Sequence, residues 1–127
     1  MPVVASIDTT QQIVTLVFAG ETSFIEWQAV MDGVLSDLSY VASMCIISDR
    51  RAAENIPSTE HIRELVQYLK RHAESFAGCG IAIVAHSPVE YGMSRMAELL
   101  ADGTGVRVRA FHEPEAALSW LSDERHE

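Results

Sequence analysis

Two histidines, His86 and His112, stand directly after runs that read as strands, and Asp49, Arg50 and Arg51 close a third. A histidine oriented by an aspartate makes a general base, and Ser87, next in sequence to His86, would be the nucleophile it activates. His86, His112 and Asp49 are also the residue types of a divalent metal site. The spacing argues against both chemistries. Ser87 has no glycine elbow around it, and its place before Pro88-Val89-Glu90 is that of a helix N-cap whose hydroxyl is committed to a backbone amide. No HxH or HxxxH pair pre-organises a metal. Neither a catalytic residue nor a metal or other cofactor is therefore expected, and the chain is read as non-enzymatic.

Binding has more support. Ligands of open α/β sheets sit outside the carboxyl ends of the parallel strands. That edge gathers Asp49, Arg50, Arg51 and His86 here, with Glu21, Ser87, His112 and Glu113 also at strand ends, and with Tyr91 and Arg95 one turn apart on the next helix. Two adjacent guanidinium forks are the exception in a chain of net charge -9, and they need an acidic neighbour or an anionic ligand. The candidate ligand-binding set is thus Asp49, Arg50, Arg51, His86, Tyr91 and Arg95, with a protein partner or a small anionic molecule as the occupant. The alternative is a small lipid or metabolite carrier, with a pocket between the first and third helices lined by Trp27, Met93 and Met96.

The elements that would position these residues are legible from periodicity. Residues 3–7 and 13–18 are β-rich and joined by a polar stretch, an opening hairpin that ends at Gly20. Phe24, Trp27, Val30, Met31, Val34, Leu35 and Leu38 recur at helical spacing after an N-cap at Thr22 or Ser23. A short buried strand at 44–47 is expected to give way to a polar loop over 48–55. A second helix then begins near Ser58 and runs to a turn at Gly78-Cys79-Gly80. A strand at 81–85 leads into the capping box Ser87-Pro88-Val89-Glu90 and a third helix with an apolar stripe of Val89, Met93, Met96, Ala97 and Leu100. Residues 106–111 alternate as an edge strand or a face without helices would, and a last helix from Pro114 packs Ala117, Leu118 and Leu121 before a solvated tail at 122–127. The result is an α/β domain over 1–127, an N-terminal β-hairpin followed by alternating α and β units, with about five strands in a mixed sheet and four helices.

Composition sets the outer limits. A chain of 127 residues, 48% hydrophobic and 21% charged, suits one globular domain, and no apolar run approaches the ~20 residues of a membrane span. Nucleic acid is an improbable partner for an excess of 18 acidic over 9 basic residues. Without the basic region and apolar segment of a signal peptide at Met1-Pro2-Val3-Val4, the cytoplasm is the expected compartment. Cys45 and Cys79, lacking CxxC spacing, read as buried free thiols. The apolar stripe of the first helix and the alternating strand at 106–111 suggest a homodimer.

Several segments carry a resemblance: the hairpin closing with Phe18-Ala19-Gly20, the strand ending Asp49-Arg50-Arg51, Tyr91-Gly92-Met93-Ser94-Arg95-Met96 and Glu115-Ala116-Ala117-Leu118-Ser119-Trp120-Leu121. Over nearly its whole length the chain resembles the SpoIIAA-like group of the STAS (sulfate transporter and anti-sigma-factor antagonist) superfamily, in particular small single-domain bacterial members. Their fold is shared with lipid-exchanging CRAL-TRIO domains. The resemblance implies a regulatory or protein-interaction module akin to anti-sigma-factor antagonists. Those proteins carry a phosphorylatable serine after an aspartate at a helix start, and the Asp-Ser-Ser/Gly motif is absent here. The nearest equivalent is Ser58, where a phosphate would meet helix-terminal amides and the guanidinium groups of Arg50 and Arg51. The simpler role of Ser58 is to cap its helix.

Overall fold

The computed structural model describes residues 3–76 and 80–125. Val3–Asp8 (β1) and Ile13–Gly20 (β2) pair antiparallel, from Val3 beside Phe18 to Asp8 beside Ile13. Asp8 closes the hairpin, its Oδ1 accepting from the N–H groups of Thr10 and Gln11 at 3.0 Å each. Cys45–Ala53 (β3), Gly80–Val84 (β4) and Arg107–Phe111 (β5) then add in parallel, so the described residues form one five-stranded sheet in the order β1-β2-β3-β4-β5.

The connections are the helices Phe24–Ser36 (α1), Thr59–Arg71 (α2) and Pro88–Ala101 (α3), and Pro114–Arg125 (α4) follows the last strand. Each crossover steps one strand in the same direction, and right-handed crossovers of that kind place all their helices on one face. The larger core lies there, with Leu16, Phe18, Trp27, Met31, Tyr68 and Leu69 among its members. Among the described residues only α4 covers the other face, where Ala117 and Leu121 pack on Cys45, Ala82 and Val84. Gly80 is dictated by this packing, since a β-carbon there would lie 2.5 Å from the Trp120 ring of α4.

Fold class and element order agree with the sequence reading, and several details correct it. β3 runs on to Ala53 where a loop was expected from Ser48, because its backbone keeps pairing with β2 past an irregularity between Val17 and Ala19. Ladder hydrogen bonds need only backbone groups, so polar side chains at alternate positions do not end a strand. α1 stops at Ser36 with Asp37 as C-cap, which leaves Leu38 fully exposed rather than in the apolar stripe. α2 ends at Arg71 and is followed by a 3-10 turn, Ala73–Phe76, while Gly78 and Cys79 lie outside the described residues. α4 continues to Arg125, so most of the expected tail is helix, and Leu118 is only half covered.

The face of α3 also differs. Val89 and Leu100 are exposed, and Glu90, Ser94, Ala97 and Ala101 are the residues turned inward. Finally, Cys45 is wholly buried and disulfide-bonded, so it is not the free thiol expected. β3 and β4 start side by side at the same end of the sheet, with Ile46 beside Ile81, a proximity that linear spacing conceals.

Candidate functional site

Alternation along β3 decides where the polar residues go. Successive side chains of a strand point to opposite faces, so Ser48 and Arg50 enter the helix-covered face with Ile46, while Asp49 and Arg51 emerge on the face that α4 covers only in part. The expected Arg50 and Arg51 pair is therefore divided by the sheet.

Arg50 is 8% exposed. Its Nε donates to Glu90 Oε1 in a buried ion pair, its Nη2 donates to the Asn55 carbonyl at 3.4 Å, and its guanidinium lies 4.6 Å above the centre of the Phe18 ring. Asn55 ties this cluster to the start of α1, accepting from Thr22 N–H at 2.8 Å and donating to its carbonyl at 2.9 Å. Beside Arg50 is a cavity of about 40 Å³, walled by Phe18, Trp27, His61, Leu65 and Ile83 among others. That is water-sized space. Met93 and Met96 are not among its walls; they pack against the main core.

On the other face Arg51 and Asp49 form a closed fork. Asp49 Oδ1 accepts from Arg51 Nε at 2.9 Å and from its backbone N–H at 3.1 Å, and Oδ2 accepts from Nη2 at 2.7 Å. The hydrogen bonds from Arg51 hold the Asp49 carboxyl below the usual aspartate range, with a smaller contribution from the charge of His86. A groove of about 270 Å³ runs beside this fork along α4, bordered by Ile13, Thr15, Ile47 and Leu118.

The carboxyl ends of β4 and β5 form a topological switch point, since one leads to a helix on one face and the other to a helix on the opposite face. His86, Ser87, His112 and Glu113 all lie there, as the sequence places them. The Tyr91 ring stacks on His112 with centroids 3.8 Å apart and planes at 20°. Ser87 Oγ accepts from Glu90 N–H at 3.1 Å, the N-cap bond expected of it. Arg95 turns away from this edge: its Nη1 donates to Glu98 Oε1 at 2.9 Å, and Glu98 Oε2 accepts from Ala110 N–H of β5 at 3.0 Å. Ser58 caps α2, accepting from His61 N–H at 3.1 Å, while both guanidinium groups invoked for a phosphate there are engaged by Glu90 and Asp49. Among the described residues no three His, Cys, Asp or Glu side chains converge on a metal position.

Glu90 is the residue that sequence reasoning missed. The pattern Ser87-x-x-Glu90 announces a reciprocal capping box, yet only the serine half forms and the carboxylate goes to Arg50. A loop over 48–55 gives no such signal; once β3 runs on through Arg50, its parity with Ile46 buries it, and a buried guanidinium must find an acid.

His61 lines the cavity, and burial, reinforced by the Arg50 charge, lowers its pKa below the ordinary value of 6.5. The folded protein then favours neutral imidazole. Above 6.5 the group is neutral folded or unfolded and has no effect; below it the unfolded chain takes the proton first, so stability falls as pH falls towards the folded pKa. Denaturant unfolding of wild type and His61→Gln between about pH 7.5 and pH 5, the range over which histidine changes charge, is expected to show the steeper loss in wild type. Parallel profiles would contradict this.

No family model matches the sequence, and no curated protein matches it. Among solved structures, an uncharacterised protein of the DUF3478 family from Shewanella loihica PV-4, described as having a SpoIIAA-like fold, superposes with a TM-score of 0.64 at 14% identity, covering 94% of this chain and 93% of that one. The chain thus has a SpoIIAA-like α/β fold. At that identity the likeness extends to fold alone. No described helix is long and apolar enough to cross a membrane.

Proposed function

We propose that the protein is a non-enzymatic regulatory or interaction module that docks a protein partner on the sheet face left partly open by α4. The observation that carries this reading is the pairing of Val4 and Val17, neighbours in the β1–β2 ladder that are 54% and 43% exposed and lie on the same face as the groove beside Asp49 and Arg51. Exposed apolar residues grouped on one face and rimmed by polar groups mark interaction sites. The partner is one with a basic rim, since a chain of charge -9 attracts it over distance. A free anion is a weaker candidate, because Glu90 and Asp49 already neutralise Arg50 and Arg51. The carrier reading has less support still, as a cavity of about 40 Å³ is far too small for an acyl chain. The Cys45 disulfide favours an oxidising compartment over the cytoplasm expected from the sequence, since disulfides persist mainly in oxidising surroundings.

Val17→Glu and Leu118→Glu alter this face at exposed positions, and Ile25→Glu alters exposed α1 as a control. A partner retained by wild type in affinity capture should be lost by the first two variants and kept by the third, with weaker retention at high salt. Equal retention by all variants would sink the proposal.

A further inference from the structure

The two outer strands of the sheet are treated differently. β5 is blunted in the ways that protect an edge: Arg107 and Arg109 are exposed along it, and Glu98 Oε2 occupies the Ala110 N–H at 3.0 Å. This is the strand from which the sequence suggested a dimer. β1 has none of these devices across Val3, Val4, Ala5, Ser6 and Ile7, five successive residues without charge in an acidic protein. Beside it, on the helix-covered face, lies an open groove of about 370 Å³ between Ala5 and Ile7 of β1 and Val30, Gly33 and Val34 of α1, with Asp37 and Ser39 also lining it just past the end of the helix. Gly33 sits in the last turn of α1, where glycine is a poorer helix former than alanine, with nothing within 4 Å of the place a β-carbon would take.

We infer that the outer edge of β1 pairs with β1 of a second copy of this chain, antiparallel about a two-fold axis through Ala5, to make one continuous sheet. The geometry selects a second copy over a foreign strand because the edge is complementary to itself. Directly opposed residues of antiparallel strands share a face, so a two-fold at Ala5 sets Val3 against Ile7 and Ala5 against Ala5 beneath the helices. On the open face it sets Val4 against Ser6. Across the paired strand residues no charge meets a like charge, and Asp8 falls beyond the paired segment. The α1 helix of each copy flanks the seam, and the empty space at Gly33 lets the two helices approach and close the groove over it. The contact is isologous and closes at two chains. It uses the sheet edge, so it stands independently of a partner on the open face.

Val4 and Ser6 are both exposed, which permits substitution without disturbing the core. Wild type at high protein concentration should scatter with the mass of two chains. Val4→Lys combined with Ser6→Lys sets ammonium against ammonium twice across the axis and should reduce the mass to one chain. Val4→Lys combined with Ser6→Glu sets opposite charges together and should restore two chains. Circular dichroism and thermal melting identify any variant that fails to fold, and Ser6→Lys alone with Ser6→Glu alone then serve as the folded comparison, each keeping more dimer than the double lysine variant. A wild type of one-chain mass, a double lysine variant still dimeric, or a charge swap that does not restore pairing would each overturn the inference.

Discussion

Truncation of Glu90 to alanine should cost about 3–5 kcal/mol of stability, the usual penalty when one partner of a buried ion pair is removed and the other is left uncompensated. Arg50 cannot reach water easily from an 8% exposed position, and its remaining contacts are the face of Phe18 and one long bond to the Asn55 carbonyl. The pair itself need not be strongly stabilising, because desolvating two charges offsets most of their attraction. Arg50→Met with Glu90→Leu should therefore recover most of what Glu90→Ala loses. Urea unfolding of the single and double variants separates the two effects. A single-variant loss under ~1 kcal/mol, the range of an exposed pair, would show that Arg50 is solvated.

Trp27→Ala is expected to lower stability by a similar amount, about 3–5 kcal/mol, as truncation of a buried large aromatic does. Trp27 is 4% exposed, meets Tyr68 edge-on with centroids 5.0 Å apart, and lies 5.8 Å from Phe24. It also borders the cavity beside Arg50, so its loss enlarges a space that the surrounding helices are already failing to fill. Tyr68 limits collapse into that space, because its hydroxyl donates to Asp32 Oδ1 at 2.7 Å and anchors the ring. Equilibrium unfolding with an unchanged m-value and a shifted midpoint is the expected signature. A loss under ~1 kcal/mol would mean that the site collapses freely or that the ring is not core.

Much of the architecture was legible because short-range physics writes it. β-rich composition on either side of a polar stretch marked β1 and β2, Ser87 with Pro88 marked the start of α3, and Ser58 marked the start of α2, since capping bonds reach only two or three residues along the chain. The ends of β3, α1 and α4 were less legible, because each ends where tertiary contacts end. Ladder pairing with β2 carried β3 through a polar sequence that reads locally as loop. In α3 the apolar stripe pointed to Val89 and Leu100, and the buried need of Arg50 turned Glu90 inward instead.

The candidate site divides in the same way. The sequence by itself determined that His86, Ser87, His112 and Glu113 reach the carboxyl edge of the sheet, since they follow β4 and β5 whatever the packing. That Arg50 and Arg51 point apart was decided by the structure, which carries β3 through a stretch that reads as a loop. Only the tertiary structure decided their partners: Glu90, forty residues from Arg50, pairs with it because α3 folds back over β3, whereas Asp49 meets Arg51 two positions away on the same face. It alone decided that α4 covers the second face by itself and that β5 is guarded while β1 is bare. Local propensity is encoded residue by residue, but the pairing of a buried charge and the exposure of an edge depend on elements distant in the chain, which sequence spacing does not record.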